Sequence, residues 1–207
     1  MAVPSEGEFM KRWAAVAAAG LLGVLVALFV VPLLVGEPHE FVGTVLSDPE
    51  PAPAFSLTSD TGETVALDSY RGKVVLLYFG YTFCPDICPD SLSELADAME
   101  VLGGESEDVQ VIMISVDPAR DTPDVLGEYM DHFDPRFVGL TGTETEIAEV
   151  ADQYGVFYEA QEGTAATGYL VDHLASVMLI DKDGKWVEIL SYGTTGEQVA
   201  ADIREWL

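Results

Sequence analysis

The apolar positions of this 207-residue chain fall into two regimes. The first is Trp13 to Val35, an uncharged apolar run of 23 residues. As a helix it would extend about 34 Å, enough to cross the hydrocarbon core of a bilayer. It is longer than the ~7 to 15 apolar residues of a cleaved signal, and no small-x-small cleavage site follows Val35, so a retained anchor is expected. Lys11 and Arg12 precede the run, and Glu37 and Glu40 follow it. By the positive-inside rule, residues 1–12 form a cytoplasmic tail, 13–35 a single transmembrane helix, and everything beyond lies on the external face of the cell membrane.

The second regime begins after a stretch with prolines at 38, 49, 51 and 53, so that 36–53 reads as a semi-extended linker. Ala54–Thr58 and Thr64–Leu67 flank a turn-prone Ser-Asp-Thr-Gly-Glu and predict a short β-hairpin. Lys73–Tyr81 is continuously apolar and β-prone, the pattern of a strand buried on both faces. From Asp90, the residues Leu92, Leu95, Ala96, Met99 and Leu102 recur at helical spacing and stop at Gly103-Gly104. Val109–Val116 predicts another buried strand. A turn follows, then a helix with Thr122 before a proline at its first position, running to about Phe133. Phe137–Leu140 reads as a short strand and Thr143–Tyr154 as a helix, with Thr143 and Glu146 in capping-box spacing. Val156–Glu159 reads as an edge strand and Gln161–Thr167 as a loop able to move. Ser176–Asp181 and Trp186–Ser191 predict strands about an Asp-Lys-Asp-Gly turn, and Glu197–Leu207 a closing helix. Strands that alternate with helices and end in a hairpin plus helix give residues 54–207 the pattern of an α/β, thioredoxin-like sandwich with a mixed central sheet.

Charge narrows the partners. The formal net charge is −27; the four charged residues before position 36 (Glu6, Glu8, Lys11, Arg12) cancel, so the whole excess falls on the external part. Such a field repels nucleic acid and anionic surfaces. Spread along the domain, with lysine scarce, it describes a solvated acidic surface of halophilic type with no special partner.

The candidate chemistry lies in Gly80-Tyr81-Thr82-Phe83-Cys84-Pro85-Asp86-Ile87-Cys88-Pro89, which holds both cysteines of the chain between a buried strand and a helix. A domain of this size does not need a staple, and a loop of three residues gains little from one. At a helix N-terminus a thiol ionises readily, and the thiolate is what both metal binding and disulfide exchange require. Residues four apart on a helix hold their Cβ atoms about 5–6 Å apart, wider than a disulfide prefers, which favours a shared ion mildly; the prolines at 85 and 89 can bend this turn, so both outcomes stay open. Two soft thiolates suit Cu(I) or zinc and leave the site incomplete. Of three histidines, His39 lies in the linker and His132 at the end of a helix among acids, while His173 follows the mobile loop and precedes a strand. Asp86 reads as a cap or a solvated residue.

The first motif, together with Ser115-Val116-Asp117-Pro118-Ala119-Arg120-Asp121-Thr122-Pro123 and Val171-Asp172-His173, resembles the Sco/SenC family from about residue 52 to the C-terminus. That resemblance implies a membrane-tethered metallochaperone that binds copper, as Cu(I) or Cu(II), through two cysteines and one histidine. It further implies a role in assembling the dinuclear CuA centre of cytochrome c oxidase subunit II. Carried over by motif, the metal ligands are Cys84, Cys88 and His173. The alternative within the same resemblance is a thiol-disulfide oxidoreductase using Cys84 and Cys88 on the cysteines of the CuA site; a thiol peroxidase is a weaker third reading. Leu174 stands where the family usually has Ser or Thr, which removes a hydroxyl from beside the histidine. The Ser115–Pro123 stretch is expected to shape the scaffold and not to touch the metal.

Overall fold

Strand β4 (Val74–Gly80) is buried at every position, and its neighbours explain why so apolar a segment is stable there. It pairs in parallel with β5 (Val109–Ser115) on one side and antiparallel with β9 (Val177–Ile180) on the other, so its backbone is satisfied and both faces lie under other elements. The structure, a computed structural model, describes residues 6–25, 39–162 and 168–207. These belong to two units, residues 1–40 and Phe41–Leu207.

In the first unit, α1 spans Glu6–Leu25. The expected membrane span over 13–35 runs into residues outside those described, and among the described residues no helix is long and apolar enough to cross a membrane.

In the second unit an eight-stranded sheet has the order β1 (Thr44–Val45), β10 (Trp186–Leu190), β9, β4, β5, β6 (Val138–Thr141), β2 (Ser56–Ser59) and β3 (Thr64–Ala66). β4, β5 and β6 are mutually parallel and the outer pairings antiparallel, which is the mixed sheet expected of this α/β chain. The linker is partly recruited: Thr44 and Val45 pair with Ile189 and Glu188, and the amides of Val42 and Gly43 donate to the buried Asp202 carboxylate. Four helices complete the unit: α2 (Ile87–Leu102), α3 (Pro123–Met130), α4 (Glu144–Gln153) and α5 (Gly196–Trp206). The caps follow from sequence. The Thr122 hydroxyl accepts from Val125 N with proline at N1, and Thr143 with Glu146 closes a reciprocal capping box.

Helix α2 and the strands β7 and β8 also differ from expectation. Helix α2 begins at Ile87, three residues before its apolar periodicity starts, because the proline at 89 falls in the first turn, where an amide has no intrahelical partner to lose. The edge strand near 156–159 runs instead as β7 (Tyr158–Glu162). It pairs with β8 (Tyr169–His173) in a separate two-stranded sheet, Tyr158 opposite His173. The expected mobile loop therefore gives up Gln161 and Glu162 to a strand; residues 163–167 lie outside those described.

Candidate metal centre

Three segments distant in sequence meet at the C-terminal end of β4. Gly80 ends the strand, and its carbonyl accepts from Val116 N at 2.9 Å, so the chain leaves the sheet directly into the cysteine loop. Cys84 lies half-buried in that loop, Cys88 is wholly buried in the first turn of α2, and His173 is the last residue of β8. One donor atom from each, Sγ of Cys84, Sγ of Cys88 and a ring nitrogen of His173, lies within 4.8 Å of the others. Asp86 occupies the N-cap position of α2 but makes no capping hydrogen bond with its side chain.

The site is arranged to present lone pairs inward. His173 Nδ1 lies 3.1 Å from the Leu174 carbonyl, which can only accept, so Nδ1–H is directed there and Nε2 is the ring nitrogen that faces the sulfurs. The side-chain hydroxyl that Leu174 lacks is thus replaced by its own backbone. Nε2 lies 3.2 Å from Cys88 Sγ, and the Cys88 amide donates to Cys84 Sγ at 3.4 Å. The two thiols are driven apart. Donation from Cys88 holds the Cys84 thiol well below the usual thiol range, helped by His173 and by the amides of Asp86 and Cys88 and opposed by burial. Donating to Cys84 and being buried push Cys88 up. Cys84 is the readily ionised thiolate, and Cys88 keeps its proton until something displaces it.

The Ser115–Pro123 stretch clamps these segments without entering the donor set. The buried Asp121 carboxylate accepts from Thr82 N (3.0 Å), Thr82 Oγ1 (2.6 Å) and Ser115 Oγ (2.6 Å), which ties the start of the cysteine loop to the end of β5. Burial pushes that carboxyl upward, and the donors from Ser115 and Thr82 oppose the shift. Arg120 pairs with Asp117, donates to the Tyr169 carbonyl at 3.0 Å, and stacks over the rings of Tyr169 (3.7 Å) and Phe83 (4.7 Å). The Tyr169 hydroxyl in turn donates to Asp117 at 2.5 Å. Tyr81 completes the brace: its hydroxyl accepts from Val171 N at 3.2 Å, and its ring meets His173 edge-on at 5.7 Å. The cysteine loop is thereby fastened to the strand that carries the histidine. Asp121, Arg120 and Tyr81 were not singled out from sequence as positioning residues; the only signal was that all three fall within the quoted motifs.

His132 donates from Nδ1 to the Glu128 carbonyl at 2.5 Å on the exposed end of α3, away from the donor group. Among the described residues, the Cys84, Cys88 and His173 group is the one that could hold a metal through three such donors.

Fold and donor set together describe a mixed-sheet α/β domain with two sulfurs and one imidazole that could hold a metal at a helix N-terminus. The model of the SCO1/SenC family matches residues 46–207, and the chain belongs to that family. It is 42% identical over 135 residues to the SCO2-like protein of Rickettsia felis, covering 65% of this chain and 66% of that protein, so the match spans just under two thirds of the relative's length. Among solved structures it is similar to copper-bound ScoI of Bradyrhizobium japonicum, with 39% identity and a TM-score of 0.70, covering 76% of this chain and 100% of that one. It is also similar, at 27% identity and a TM-score of 0.61 over 78% of this chain and 96% of the other, to a Sco protein. That protein is described as showing a disulfide switch and as belonging to a family of cytochrome c oxidase assembly proteins. The fold is therefore the mixed α/β, thioredoxin-like one of the Sco structures.

Proposed function

We propose that this protein is a copper metallochaperone that holds one copper ion through Cys84 Sγ, Cys88 Sγ and His173 Nε2 and passes it to the CuA centre of cytochrome c oxidase subunit II. The observation that carries this reading is the convergence of three donor atoms within 4.8 Å, the imidazole turned with its Nε2 toward the sulfurs. Two thiolates match Cu(I), and the imidazole makes Cu(II) tolerable. Cys84 is only partly buried, and Phe83 and Leu174, the chain neighbours of Cys84 and His173, are exposed, which suits exchange of cargo without unfolding the domain. Residues 13–35 serve as the membrane anchor, residues 36–53 as the linker, and residues 54–207 as the copper-binding domain on the external face.

A second reading rests on a separate observation. The readily ionised, accessible Cys84 and the buried Cys88 that donates to it are arranged as an attacking and a resolving thiol, which suits reduction of the target's cysteines before metal entry.

Incubating the copper-loaded protein with the metal-free, pre-reduced CuA domain of subunit II separates the two. Transfer, seen as the appearance of the CuA absorption, supports delivery. No transfer to a reduced target, together with reduction of its disulfide by the metal-free protein, overturns delivery in favour of the second reading.

A further inference from the structure

Tyr78 stands behind the metal centre and touches two of its three ligand residues. Its side chain is wholly buried, and its ring meets the His173 imidazole edge-on with centroids 6.1 Å apart. A Cβ placed on Gly80 would lie 2.7 Å from Tyr78 Cε1 and 3.2 Å from Cys88 Sγ. The phenol edge and the sulfur therefore crowd the same point, and glycine at position 80 leaves them room to do so.

Tyr78 Oη and the buried Ser91 Oγ both lack a partner at hydrogen-bonding distance, and the polar groups beside the phenol are the Ser91 hydroxyl and the Cys88 sulfur. A buried hydroxyl left unpaired costs about 1–3 kcal/mol, and phenylalanine would fill the same volume without that cost. Of these two neighbours, the Cys88 sulfur is the one whose acceptor strength changes, poor as a thiol and strong as a thiolate.

We propose that Tyr78 tunes the metal centre: its Oη–H donates to the Cys88 sulfur when that sulfur is a metal-bound thiolate, and so favours the reduced ion over the oxidised one. The inference rests on the copper reading above and deepens it. Two thiolates and a neutral imidazole leave the site with a net negative charge around Cu(I) and neutral around Cu(II). A buried donor beside one of the sulfurs stabilises the more negative form, as hydrogen bonds to ligating sulfur do elsewhere. Tyr78 is a positioning and tuning residue here and not itself a ligand.

The test is Tyr78→Phe in the full chain, with three measurements: Cu(I) affinity by anaerobic competition against a chromogenic chelator, Cu(II) affinity by competition against an amino-acid chelator, and the Tm of the metal-free protein. The expected result is a loss of about tenfold in Cu(I) affinity, the size of one charge-assisted hydrogen bond. The change for Cu(II) should stay below about threefold, and the metal-free Tm should hold or rise. Equal losses for both ions, an unchanged Cu(I) affinity, or a metal-free Tm lower by more than about 2 °C would overturn it, the last because the hydroxyl would then already have a partner. Wild-type protein that binds no Cu(I) sinks the copper reading and this inference together. Tight wild-type binding matched by Tyr78→Phe sinks only the inference.

Discussion

Replacing Asp121 by alanine removes the one buried carboxylate that ties the cysteine loop to β5. It accepts three hydrogen bonds, from Thr82 N, Thr82 Oγ1 and Ser115 Oγ, at 2.6 to 3.0 Å and with no solvent exposure of its own. Alanine accepts none of them. Each donor left unpaired in the interior costs about 1–3 kcal/mol, so the low end of the range for three is about 3 kcal/mol. At about 2–4 °C per kcal/mol for a domain of this size, Asp121→Ala should lower Tm by about 6–12 °C. Asp121→Asn keeps one carbonyl acceptor and should fall between. Calorimetry of the metal-free protein reads the stability. Cu(I) competition reads the site, since Thr82 lies two residues before Cys84 and a loosened loop spreads the donor atoms. A Tm within about 2 °C of wild type would refute the accounting of these bonds, and an unchanged Cu(I) affinity would refute the claim that Asp121 positions the loop.

Three further outcomes follow from the same geometry. In Gly80→Ala the new Cβ collides with Tyr78 and Cys88 Sγ, both wholly buried, so overpacking should cost about 1–3 kcal/mol and weaken metal binding; an unchanged Tm would count against the packing described. The Cys84 thiol is depressed, so its thiolate persists as pH falls below the usual thiol range. In Cys88→Ser, where a hydroxyl still donates, the iodoacetamide rate should stay nearly flat from pH 8 to pH 6; a fall of about tenfold per pH unit is the behaviour of an ordinary thiol and would contradict it. In Arg120→Ala the clasp over Tyr169 and Phe83 is lost. Backbone amides of β8 should then exchange faster than those of β4, and equal protection in variant and wild type would show that Arg120 does not hold the hairpin.

The sheet and its helices were legible because the chain repeats the same information at several levels. Val74–Gly80 is apolar at every position because it is covered on both faces, and Thr143 with Glu146 announces a helix start that its capping box confirms. The candidate donors came from a different source: the resemblance of the cysteine motif and of Val171-Asp172-His173 to the Sco/SenC family implied them, and the fold brings their donor atoms within 4.8 Å of one another. What stayed hidden depends on long-range pairing. Residues 169–173 carry no strand periodicity of their own and become β8 only through β7, which sets Tyr158 opposite His173. Asp121 reads as a turn residue in sequence, and only the folded chain brings Thr82 and Ser115 to its oxygens. Leu174 looked like the loss of a supporting hydroxyl because a sequence displays side chains, and the group that orients His173 is a backbone carbonyl.

The central claim is that Cys84, Cys88 and His173 form a single copper site, and anaerobic Cu(I) titration of the purified protein tests it most directly. Wild type should bind one Cu(I) per chain, Cys84→Ser and Cys88→Ser should lose that site, and His173→Ala should retain it with weakened affinity. Undiminished affinity in His173→Ala, or tight binding that survives the loss of either cysteine, would contradict the account.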